Sequence, residues 1–120
     1  LCYHVLEHIR DPIYFVQEFK RILKKGGKVI LGIPNFDSGC ARRYTKNYRL
    51  LNDVTHITLF SPDSLMRLFR DNGFRVLNIE FPYFESEKFF NKDSLNKLFD
   101  KDGVSPSFYG NIMTLYAVKE

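Results

Sequence analysis

The chain is 120 residues long, 44% hydrophobic and 16% aromatic, which is enough apolar material for one modest core and too little chain for two domains. Its two cysteines, Cys2 and Cys40, stand in no C-x-x-C pair, so neither a disulfide scaffold nor a cysteine zinc cage is expected. With no signal peptide or long apolar run, these features point to a reducing cytosol and no membrane, and the net charge of +4 suits an anionic partner.

Residues 4–8 read HVLEH, the H-x-x-E-H order of one zinc-peptidase class. In that reading His4 and His8 are ligands four residues apart, Glu7 polarises the bound water, and a distant carboxylate such as Glu80 or Glu85 completes the site. The geometry needs a sustained helix. Asp11-Pro12 starts a new element three residues later, so no metal is expected there.

Asp11 as cap and Pro12 in the first turn open a helix whose apolar positions, Phe15, Val16, Phe19, Ile22 and Leu23, recur at helical spacing. Gly26-Gly27 ends it, and KVILGIPN follows as a strand buried on both faces. From Phe36 to Phe60 no period is sustained, which reads as a long functional loop. Arg42, Arg43, Lys46 and Arg49 lie there with Tyr44 and Tyr48. Arg42, Arg43 and Tyr44 are candidate contacts for an anionic or sugar-like small molecule; RNA, held by phosphate pairing and base stacking, or a plain solvated surface are the other readings. Ser61-Pro62 opens a second long helix that Gly73 ends. FRVLNIEF is the next strand, with Leu77, Ile79 and Phe81 on its apolar face. Residues 92–101 read as a short helix and NIMTLYAVKE as a last strand. The alternation gives an α/β fold with a largely parallel sheet.

Several of these signals occur in one order. Val5-Leu6-Glu7-His8, Asp11-Pro12, Arg21-Ile22-Leu23-Lys24 with Gly26-Gly27, and Pro34-Asn35 resemble a signature stretch of class I S-adenosylmethionine-dependent methyltransferases. HITLFSPDSLMRLFRDNGFRV is similar to the downstream segment of that family. The resemblance implies the C-terminal part of a Rossmann-like three-layer sandwich, a mostly parallel sheet of which this chain supplies the tip of the fourth strand and the fifth to seventh. The last strand would pair antiparallel with the sixth. Adenosylmethionine would lie across the carboxyl ends of the strands. By position the resemblance assigns Leu1, Tyr3, His4 and His8 to the cofactor side, although Tyr3 also suits plain packing and Glu7 and His8 a hydrogen-bonded turn. The glycines form no G-x-G, so the glycine-rich cofactor turn of the family is not among these residues, and the chain alone is expected to bind adenosylmethionine weakly or not at all and to be inactive by itself.

For an oxygen or nitrogen acceptor, His56 is the candidate base, because it lies in the long loop above the sheet; the alternative is a structural bond to backbone. Asn35 is a candidate for orienting substrate, and asparagine after Pro34 equally suits a turn. A non-catalytic fragment is the other function class. KVILGIPN, missing a neighbouring strand, would expose an edge through which two copies could pair.

Overall fold

The computed structural model describes residues 1–45, 49–81 and 111–120. In chain order it holds strand β1 (Cys2–Tyr3), a 3-10 turn (Leu6–His8), helix α1 (Pro12–Ile22), strand β2 (Lys28–Pro34), helices α2 (Gly39–Tyr44), α3 (Arg49–Asn52) and α4 (Pro62–Asp71), and strands β3 (Phe74–Glu80) and β4 (Ile112–Lys119). The helix expected over residues 92–101, and Glu85, lie outside the described residues.

Helix α1 starts where the sequence places it: the Asp11 carboxylate accepts the Tyr14 amide at 2.9 Å, and Pro12 takes the first position. Its Val16 is buried, Phe15, Phe19 and Leu23 pack partly against the core, and Ile22 turns out to solvent at 63% exposure. Helix α4 is closed by a reciprocal cap in which Ser61 accepts the Ser64 amide and Ser64 accepts the Ser61 amide.

The sheet order is β1-β2-β4-β3. β1 runs parallel to β2, and β4 runs antiparallel to both β2 and β3, which leaves β1, β2 and β3 parallel with the last strand reversed between two of them. Val29 pairs with Ala117, Leu31 with Leu115 and Ile33 with Met113. These six side chains form one buried cluster with Leu6, with Val16 of α1 and with Leu65 and Phe69 of α4. β4 pairs with β2 along its whole length, whereas β1 reaches only Leu31 and Gly32, so the β1 side of this strand is covered at those two residues.

Two sequence expectations are corrected. Residues 36–60 are not one loop: Ser38 caps α2 by accepting the Ala41 amide at 3.2 Å, and α3 follows. Arg42 and Arg43 therefore sit in a short helix rather than an irregular segment. In β3 the alternation slips at a bulge between Val76 and Asn78. Two residues there face one on the partner strand, so Val76 and Ile79 pack on the core while Leu77 is exposed.

Candidate functional site

Because β1 and β2 are parallel, their carboxyl ends, His4 and Asn35, lie at the same edge of the sheet. The Tyr3 ring lies over Gly32, its register partner; a Cβ on Gly32 would run into Cδ1 and Cε1 of that ring. Gly32 is thus the residue that lets the ring settle on the strand, with its outer side still 42% exposed. His4 follows with φ +52, a left-handed conformation costly for a side chain with a Cβ, and its amide donates to the Gly32 carbonyl at 2.8 Å. Leu1 is exposed beyond them.

The turn over Leu6–His8 buries Glu7 completely. The segment after α3 folds back onto it: the Ile57 and Thr58 amides donate to the Glu7 carbonyl at 2.9 and 3.1 Å, and the Thr58 hydroxyl donates to the Ile9 carbonyl at 2.8 Å. This return brings His56 to His8, with ring centroids 4.9 Å apart, and Phe36 meets the other side of His56 edge-on at 5.9 Å.

Both imidazoles are oriented by backbone. His8 Nδ1 is 2.8 Å from the Thr55 carbonyl, and His56 Nδ1 is 2.7 Å from the Leu50 carbonyl. A carbonyl oxygen only accepts, so each Nδ1 carries the proton and donates it, and in the neutral ring each Nε2 is left with a free lone pair. His56 is 7% exposed and His8 37%. Asp53 closes the corner: its Oδ1 accepts from the Thr55 amide and hydroxyl, and its Oδ2 is 3.8 Å from His56 Nε2. The Thr55 hydrogen bonds, with a smaller pull from His56 and His8, hold the Asp53 carboxyl below its ordinary range. Its hold on this corner is complete above the ordinary carboxylate pKa and is lost only as pH falls through the lowered one.

The residues singled out in the sequence separate here. His8 and His56 come together, and His4 approaches the same Glu7 from the other side, Nδ1 to Oε1 3.3 Å. The zinc-peptidase geometry is not formed: His4 stands outside the 3-10 turn that holds His8, with left-handed backbone, so the two do not share a helix face. Asn35 is buried, and its side-chain oxygen accepts the Asp37 amide at 2.9 Å, the turn alternative. Arg42 donates from Nε and Nη2 to Asp37 Oδ1, an exposed pair of small energetic weight. The side chains of Arg43 and Tyr44 lie outside the described residues. Glu80 sits on β3 and accepts from the Tyr116 hydroxyl at 3.0 Å. Burial pushes the Cys2 thiol up, with Glu7 adding to that, which makes it a poor nucleophile. Glu7 as the buried centre, and Asp53 as the brace, are what sequence reasoning missed; the Asp-x-Thr spelling of an Asx-type turn was the one local signal for the latter.

Residues 1–79 match the model of a family described as a methyltransferase domain. An uncharacterized protein of Methanocaldococcus jannaschii is 30% identical over 71 residues, which make up 59% of this chain and 35% of that protein. A Thermotoga maritima S-adenosylmethionine-dependent methyltransferase, described as a possible histamine N-methyltransferase, superposes with a TM-score of 0.70 at 24% identity, over 98% of this chain and 54% of that one. Phosphoethanolamine N-methyltransferase 2 of Haemonchus contortus, solved with S-adenosyl-L-methionine, gives a TM-score of 0.51 at 17% identity, over 98% of this chain and 32% of that one. The cyclase SpnF shares the fold as well, with a TM-score of 0.59 at 14% identity over 98% of this chain and 48% of that one. The chain thus spans about a third of the curated relative and about half of the Thermotoga structure.

Proposed function

The chain belongs to the methyltransferase-domain family, and from that premise we propose that it serves S-adenosylmethionine-dependent methylation of a small, oxygen- or nitrogen-bearing acceptor. The observation that carries the reading is the gathering of His8 and His56, each with its Nε2 lone pair free, beside the carboxyl ends of two parallel strands, where open α/β sheets bind ligands. The fold by itself would not suffice, since SpnF shows the same architecture under a cyclase's name.

In this reading the exposed faces of Tyr3 and His4, with Leu1 beyond them, form one wall of the cofactor site, and adenosylmethionine when bound supplies an electrophilic methyl group on its sulfonium. Their fit to it rests on the strand end itself: a half-exposed ring seated on Gly32, followed by a left-handed residue that turns the chain away. The rest of the work is alignment and proton removal. His56 is held by Leu50 and by ring packing, so Nε2 takes up the acceptor's proton without reorganisation, and Asp53 Oδ2 at 3.8 Å stabilises the imidazolium that results. Arg42, Arg43 and Tyr44, from the adjoining α2, are the proposed contacts for an anionic acceptor, with Asn35 holding the turn that leads into them.

Calorimetric titration with adenosylmethionine tests the wall directly. Gly32→Ala forces the Tyr3 ring off its seat and outward, which is expected to weaken cofactor binding by about tenfold, roughly 1.4 kcal/mol, while the fold persists. Unchanged affinity in that variant would remove Tyr3 from the site.

A further inference from the structure

We propose that Glu7, His8 and His56 form a binding site for a divalent first-row transition-metal ion. One ligand atom from each lies within 4.8 Å of the others. The donors are two imidazole nitrogens and one carboxylate oxygen, the set that zinc and its neighbours accept with a position left open. Both rings already have the arrangement that metal-binding histidines require: Nδ1–H is donated to a backbone carbonyl, Thr55 for His8 and Leu50 for His56, which fixes the tautomer and turns Nε2 into the ligand atom.

The second, independent observation is Glu7. Its side chain is 0% exposed, and neither Oε1 nor Oε2 takes part in a hydrogen bond among the described residues. A buried carboxylate without donors is costly unless a cation neutralises it. His8 Nε2 stands 4.0 Å from Oε1. His4 Nδ1 stands 3.3 Å from the same oxygen but makes no hydrogen bond to it, and Asp53 Oδ2 lies 3.8 Å from His56 Nε2. Ligand atoms around a tetrahedral ion at about 2.1 Å lie roughly 3.4 Å apart, so atoms within 4.8 Å of one another need only a modest inward shift to hold an ion. Glu7 and His56 supply the buried side of the site, and the exposed side of His8 leaves the remaining position to an oxygen ligand from solvent.

The site stands without the methyl-transfer reading. A bound ion occupies the nitrogen that otherwise takes the acceptor's proton, and in its place supplies a charge that favours a deprotonated oxygen. Metal binding and activity are therefore read separately.

The test is titration of the metal-free protein with Co2+, followed by visible absorption, and with Zn2+ by calorimetry. One ion per chain is expected, with Mg2+ failing to compete because it prefers all-oxygen sites. His8→Ala and Glu7→Gln should each weaken Zn2+ binding by about 100-fold or more, at least the loss that an outer-shell partner typically causes. His4→Ala should leave it within about threefold, since His4 lies outside the ligand set. Should Glu7→Gln fail to fold, His8→Ala decides alone, because that ring is partly exposed and its removal leaves the core intact. No saturable binding by the parent protein, or equal binding by the parent and His8→Ala, overturns the proposal; loss of binding in His4→Ala with retention in His8→Ala overturns this ligand set.

Discussion

Phe69→Ala is expected to destabilise the protein by about 3–5 kcal/mol, the usual cost of emptying an aromatic-sized hole in a packed core. Phe69 is completely buried on α4 and meets the Phe74 ring at 5.4 Å, edge to face, so it joins the helix to the first residue of β3. Domains of this size are stable by only about 5–15 kcal/mol, so the variant should lie close to half unfolded at modest urea. Urea melts check this: the midpoint should fall sharply with the slope unchanged. Ile22→Ala, on the exposed side of α1, should change stability by less than about 0.5 kcal/mol. A Phe69→Ala loss below about 1 kcal/mol would mean that α4 does not hold the sheet as described.

The second large effect is on rate. Replacing His56 removes the proposed proton acceptor, and kcat is expected to fall roughly 10²–10⁴-fold with a much smaller change in KM. The ring also packs between His8 and Phe36, so alanine alone would confuse chemistry with packing. His56→Phe keeps a buried ring there without a nitrogen. The proposed role requires the phenylalanine variant to be as slow as the alanine variant. A phenylalanine variant with near-parent turnover would make His56 a packing residue only.

The helices and strands were legible wherever local chemistry and long-range packing ask for the same thing. Asp11-Pro12 and Ser61-Pro62 announce helix starts because capping is a local bond, and KVILGIP reads as a strand because both its faces are buried. Helices α2 and α3 were not legible: six and four residues are too few for an apolar period to show. The slip at Val76 and Asn78 escaped for a related reason, since a bulge is set by the partner strand β4.

The site divides in the same way. The assignment of Tyr3 and His4 to the cofactor side comes with the family resemblance, which puts the ligand at the carboxyl ends of the strands. The meeting of His8 with His56 does not, for His8 and the Thr55 carbonyl that orients it are 47 positions apart in the chain. What joins them is the pair of amides from Ile57 and Thr58 on the Glu7 carbonyl, a tertiary bond without a sequence spelling. Glu7 stands out in the H-x-x-E-H spelling, but nothing in that spelling shows that the fold buries it. The pairing of Arg42 with Asp37 has no sequence spelling either, since Asp37 reaches it only once Ser38 has started the helix.

The central claim is that the carboxyl ends of β1 and β2 face the cofactor. Amide chemical-shift mapping of the isotope-labelled protein during titration with S-adenosylmethionine examines it most directly. The largest shifts are expected at Tyr3, His4 and the turn after Pro34, with Lys24 to Lys28 at the opposite end of β2 unmoved. Shifts concentrated at Gly26 and Gly27, or none at Tyr3 and His4 under saturating cofactor, would contradict it.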